Sequence, residues 1–373
     1  MKKLLFLFFG LGIIISCSSN DSDTDTTSNP NAFDRAALLT NWADNIIVPR
    51  YEIYKQKTVL LESATTLFFN TPNTVNLDLL RNAWFEAYKS YQSVALFNFG
   101  KAEEIRLNEI SNTYPTDVAG IENNIASGSY NLNLNAQYAK QGYPAIDYLL
   151  NGLGTDDASV LKFYTSDANA AKYKDYLSAV VKKINDNSTV VLNDWKTSFR
   201  DTYVKNNGTS VTSAVNSTTN AFVKHFEKDI RTAKVGIAAG KFSNEIKFPE
   251  KVEGFYKNDI SKTLLKIAIQ SSKDFFNGKS TTSEINGAGL KSFLDYVKAE
   301  RDGVLLSSTI NKQYDAVLNS TSVLNESFSN QVNADNSKML LTYDAMQKLV
   351  IYTKLDMMQA LNISIDYVDG DGD

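Results

Sequence analysis

The chain of 373 residues carries 42 acidic and 38 basic side chains, a formal net charge of −4, and 43% hydrophobic residues. The two signs of charge are interspersed without a Lys/Arg run, which argues against a nucleic-acid partner, because phosphate binding needs a concentrated basic footprint. One cysteine and one histidine exclude an internal disulfide and leave the familiar zinc and nucleophilic protease mechanisms without their histidines.

From the N-terminus, Lys2 and Lys3 precede Leu4–Ile15, a mostly apolar run well short of the roughly 20 residues that span a bilayer. Residues 1–16 read as a signal peptide. Ile14-Ile15-Ser16-Cys17 resembles a lipobox, which makes Cys17 the lipidation site and the lipid the only membrane anchor. Residues 17–31 are Ser, Thr, Asn and Asp without a large apolar side chain, too polar to offset the entropy of ordering, and read as a flexible tether. Asp21, Asp23 and Asp25 resemble the surface-export signals of some Bacteroidetes lipoproteins; a plain acidic spacer is the alternative. The expected location is the outer membrane, on its periplasmic face or at the cell surface.

Helical periodicity dominates the remainder. Leu80, Trp84, Tyr88, Tyr91, Ala95 and Phe99 mark one stripe, and Tyr173, Leu177, Val180, Ile184, Val191, Trp195 and Phe199 a second. Val252, Tyr256, Ile260, Leu264, Ile267 and Phe275 suggest a third, and Met339, Tyr343, Met346, Val350 and Met357 a fourth. Alternation of period two is confined to Tyr130, Leu132 and Leu134. Pro49 falls inside the first helical pattern, where it should kink or divide the helix. Pro72, Pro115 and Pro249 fall near expected helix starts. Polar, Gly-containing breaks lie at 127–135, 151–157, 206–219 and 277–289. The expected class is all-α: two packed helical-bundle domains, residues 32–165 and 166–373, of about eight to ten helices in total. The long helix near residues 168–206 could belong to either. Asp369, Asp371 and Asp373 alternate with glycine as in the start of a calcium loop, but such a loop needs ligands out to its twelfth position; an acidic C-terminal tail is expected instead.

The most distinctive segment is Gly142-Tyr143-Pro144-Ala145-Ile146-Asp147 followed by Leu149-Leu150. It resembles the Gly-x-His-x-x-Glu signature of the imelysin-like family. Supporting resemblances run along the chain: Ile47-Val48-Pro49 with Tyr51, Trp84 with Tyr88, Phe97 to Gly100, Tyr114-Pro115-Thr116-Asp117, His225 to Arg231, Lys234 to Ile237, and the closing Asp-Gly repeat. The resemblance implies two helical bundles with the signature near their junction, in a group once described as metallopeptidases and later linked to iron acquisition. This chain departs from the signature at its two chemical positions. Pro144 stands where the family has His and can ligate nothing, and Asp147 stands where it has Glu and reaches one methylene less far. No residue is therefore assigned as catalytic or as a metal ligand.

The expected ligand-binding residues are Gly142, Tyr143, Pro144 and Asp147, faced across the junction by His225, Arg231 and Lys234. His225 and Asp229, four apart, share a helical face; a solvated face with local ion pairs is the plainer reading of that stretch. The leading expectation is an envelope lipoprotein that binds iron, haem or another small ligand in uptake, without catalysis and without a resident cofactor. A degenerate metallopeptidase-like hydrolase with a junction pocket is one alternative. A helical interaction protein that docks an outer-membrane transporter or receptor is another.

Overall fold

A computed structural model describes residues 32–367. The expected signal peptide and tether, with Cys17, and the Asp369–Asp373 repeat lie outside the described residues. The described residues from Asp34 onward form one compact unit. Among the described residues its only strand pairing is an antiparallel ladder of Glu300–Arg301 with Val304–Leu305 and a single bridge between Lys279 and Asn286. No described helix is long and apolar enough to cross a membrane.

One group of helices gathers around Val48–Asn70, which packs against Thr74–Tyr91 and Ala170–Asp194. The sequence leaves that last helix open to either side; it sits with the N-terminal group. Tyr51, Tyr54, Leu61 and Phe68 from the first helix meet Leu77, Leu80, Trp84 and Tyr88 from the second, all fully buried. Each such side chain contributes about 1.5–3 kcal/mol of burial free energy. A second group comprises Ser261–Phe276, Leu306–Ser322, Asn336–Val350 and the helical stretch His225–Gly236.

Starts follow local capping chemistry. Asn73 accepts the Asn76 amide at 2.8 Å after Pro72, and Asp117 accepts the Gly120 amide at 2.9 Å after Pro115; each satisfies an amide that has no helical partner. Pro49 neither divides nor ends its helix. It follows a π-helical turn, Asn41–Ile47, in which the Val48 amide reaches back to the Ala43 carbonyl. Pro249, by contrast, begins no helix. Residues 247–260 are irregular, so the stripe expected from Val252 is helical only from Ser261. That irregular segment, the π-helical stretch His225–Gly236 and the short helix Gly142–Asp147 position the candidate site.

Candidate functional site

Gly142 has φ +77°, a conformation open to glycine but strained for other residues. A Cβ there would overlap the carbonyl oxygen of Ser111. Tyr143 is buried in packing: its ring stacks on Tyr88 with centroids 4.6 Å apart, and its hydroxyl donates to Tyr54 at 3.1 Å. Pro144 occupies the first helical turn, where a missing amide costs nothing. Asp147, 1% exposed, spends its oxygens on the protein. Oδ1 accepts from the Lys257 amide at 2.9 Å and from Asn151 Nδ2 at 3.0 Å, and Oδ2 from the Tyr256 amide at 3.0 Å. Burial pushes its carboxyl up to about 7 against the pull of these donors. Pro144 and Asp147 border a small cavity of about 140 Å³ with Tyr114, Val252, Phe255 and Tyr256. At this point the signature residues clasp the 249–260 segment; they do not present free ligands.

A larger cavity, about 270 Å³, lies on the other side of Tyr114, which lines both. His225, Asp229 and Lys234 form one wall; Asn98, Glu109 and Asn112 contribute to the other. His225 Nδ1 lies 2.8 Å from Asp229 Oδ2. A carboxylate at that nitrogen orients the ring and leaves Nε2 as its remaining polar atom. Nε2 is buried without a hydrogen-bond partner, and so are Tyr114 Oη, Glu109 Oε2 and Asn98 Oδ1. Buried polar atoms are nearly always paired. Four orphans around one cavity mark a place built to receive something. Burial, helped by Glu253 and Asp229, holds the Tyr114 phenol well above its ordinary pKa, hence protonated and able to donate.

Beneath the cavity lies Glu253, 2% exposed. It pairs with Lys234 and accepts from Tyr88 Oη at 3.0 Å, Gln92 Nε2 at 2.9 Å and Asn112 Nδ2 at 2.7 Å. Arg231 goes elsewhere. Fully buried, it contacts Gln347, sits 5.2 Å from the centre of the Tyr343 ring and lies 3.9 Å from Glu227. The expected set is thus divided. Pro144 and Asp147 border the small cavity, His225 and Lys234 line the large one, Gly142 and Tyr143 pack behind them, and Arg231 reaches neither cavity. The solvated-face reading of 225–234 fails, because His225, Arg231 and Lys234 are all buried.

Glu109, Asn98, Asn112 and Glu253 carry no local sequence signal. Tyr114 could have been found, since it stands in the Tyr-Pro segment already singled out. Among the described residues, no group of three or more His, Cys, Asp or Glu side chains converges as a metal-ligand set. The donors therefore do not fit a resident metal held by three protein ligands.

Residues 47–353 match the family described as Imelysin (Peptidase_M75). The chain belongs to the imelysin family. Two crystal structures share its fold. An iron-regulated protein A precursor from Parabacteroides distasonis superposes with a TM-score of 0.70 at 18% identity, covering 87% of this chain and 94% of that one. An imelysin-like protein from Psychrobacter arcticum gives 0.61 at 14% identity, covering 89% and 97%. Iron-regulated protein A of Synechococcus elongatus is 27% identical over 119 residues, 31% of this chain. That match spans 32% of the cyanobacterial protein's length. Within the imelysin family, the segment matching the signature is here a structural clasp, and the open polar atoms lie one cavity away.

Proposed function

We propose that this protein is a lipid-tethered, non-catalytic member of the imelysin family that binds a small iron-bearing ligand in envelope iron uptake. The observation that carries the reading is the ring of buried, unpaired polar atoms, His225 Nε2, Glu109 Oε2, Asn98 Oδ1 and Tyr114 Oη, around one cavity. Glu109 Oε2 and Asn98 Oδ1 accept, which suits a cationic or donor-rich ligand. At about 270 Å³ the space falls below the ~300–1,000 Å³ usual for drug-sized ligands. That favours a compact iron species over haem. The iron connection rests on the names of the relatives and on the family, and is an analogy between folds.

The test is anaerobic calorimetric titration of residues 32–373 with ferrous ion, whose hydrated cation is compact and rich in donors. Binding should weaken at least about tenfold, roughly 1.4 kcal/mol, in His225→Ala and in Glu109→Gln, with Asp147→Ala much less affected. Equal affinity in all three variants would remove the cavity from the account. Attachment is tested separately: wild type should sediment with membranes and Cys17→Ala should not. An alanine variant that stays membrane-bound would end the lipid-anchor reading.

One observation favours a hydrolytic second reading. The Asp229–His225 pair has the orienter–base geometry of general-base catalysis, with a protonated Tyr114 on the same cavity. Peptide cleavage lost in His225→Gln would establish it.

A further inference from the structure

Arg50, in the first turn of Val48–Asn70, is only 6% exposed. Its Nη1 donates to the carbonyls of Ser93 and Ser271, both at 3.3 Å, just beyond the roughly 2.7–3.2 Å of ordinary N–H···O bonds. Its guanidinium carbon lies 5.7 Å from the centre of the Phe97 ring. Among the described residues it forms no ion pair; Asp274 acts on it only through space. A buried charge without a counter-ion is costly, and Arg is almost never fully buried unless paired. Arg50 lines a cleft of about 430 Å³ that shares no wall residue with the His225 and Asp147 cavities. Lys279, also outside any ion pair among the described residues, stands on the same cleft.

The loop that closes this cleft is held by the helix that bears Arg50. Pro49 has no amide to offer the carbonyl four residues back, which is that of Asn45. Asn45 O accepts the Thr281 amide instead, at 2.8 Å. Asn41 Nδ2 grips the stem at Gly278 O, 3.1 Å, and Ala288 O, 2.8 Å, and the Lys279–Asn286 bridge closes it. Proline at 49 thus places a loop of Lys279, Ser280, Thr281, Thr282 and Ser283 beside the guanidinium.

We propose that this cleft binds a small soluble oxyanion, a phosphate or carboxylate group, on the Arg50 guanidinium, with Lys279 as a second positive charge. A planar fork of N–H donors suits such a group. Asp274 and Glu284 also border the cleft and oppose the anion, which makes Asp274 the discriminating position. The proposal does not rest on the His225 cavity.

The experiment is calorimetric titration of the full chain with inorganic phosphate and, separately, citrate. Wild type should show saturable binding of at least one anion, lost in Arg50→Met and weakened about fivefold in Lys279→Ala. Asp274→Asn should tighten it about fivefold by removing a like charge. His225→Ala should leave it unchanged. If Asp274 alone balances Arg50, neither anion binds wild type and Asp274→Asn lowers the unfolding midpoint without creating a site; that result overturns the proposal. Should Arg50→Met not fold, the Lys279→Ala and Asp274→Asn variants decide: unchanged affinity in both also overturns it.

Discussion

At Asp147 two effects oppose each other. Burial disfavours the carboxylate, while the Tyr256 and Lys257 amides and the Asn151 side chain favour it. Burial is the larger, and the group stands at about 7 instead of the ordinary 3.8. Between those values the folded protein holds a proton that the unfolded chain releases. Stability from this residue is therefore fully present below about pH 4 and is lost as pH rises through about 7. Relative to Asp147→Asn, which cannot titrate, wild type should lose a few kcal/mol across that window, with about 4 as the ceiling. Urea midpoints from pH 4 to 8 measure this. A wild type that instead gains stability over Asp147→Asn as pH rises would mean that the donors prevail. The residues around Asp147 were legible from the signature, but their use was not: that its acceptors are taken by backbone amides more than a hundred positions away is a long-range fact. His225 and Lys234 show the reverse. Nine residues apart, they fall on opposite faces of an α-helix at about 3.6 residues per turn. The wider i→i+5 turn of His225–Gly236 brings both to one cavity and carries Arg231 away.

Elements whose cause is local could be read directly. Apolar stripes at helical spacing gave Thr74–Tyr91, Ala170–Asp194 and Asn336–Val350, and Asn73 and Asp117 show why two of the starts follow Pro72 and Pro115. Elements set by tertiary demand could not. The 247–260 segment has apolar residues at helical spacing, but its amides at 256 and 257 serve Asp147, and Glu253 must reach inward to Lys234. A helix would tie up those amides and turn that carboxylate with its own period. The π-helical turns are similarly silent in sequence, because a residue period of 3.6 is assumed when stripes are counted. Two of them adjoin the cavities: His225–Gly236 carries one wall, and Tyr148–Gly152 follows Asp147 directly. The bias of such turns toward functional positions agrees with the placement of the orphaned acceptors.

For the molecule as a whole, the junction between the helical groups depends on one carboxylate. Glu253 sits in the irregular segment and is bound from Thr74–Tyr91 by Tyr88, from the turn after it by Gln92, from Leu107–Asn112 by Asn112, and from His225–Gly236 by Lys234. Tyr88, Gln92 and Lys234 are shielded from water to a degree that forbids easy replacement by solvent, and Asn112 is half-buried; Lys234 is 3% exposed. Glu253→Gln keeps the shape but leaves the Lys234 ammonium buried without its counter-charge, and breaking a buried pair from one side costs about 3–5 kcal/mol. Adding Lys234→Met removes the stranded charge and should recover most of that loss, since apolar replacement of both partners is often close to neutral. Urea unfolding of wild type, single and double variants measures the coupling directly. A double variant no more stable than Glu253→Gln would mean that the destabilisation arises from the lost hydrogen bonds of Tyr88, Gln92 and Asn112, not from the ion pair. Because Lys234 also lines the His225 cavity, ligand affinity should fall in the single variant even below the urea concentrations that unfold it, tying the integrity of the junction to the binding site.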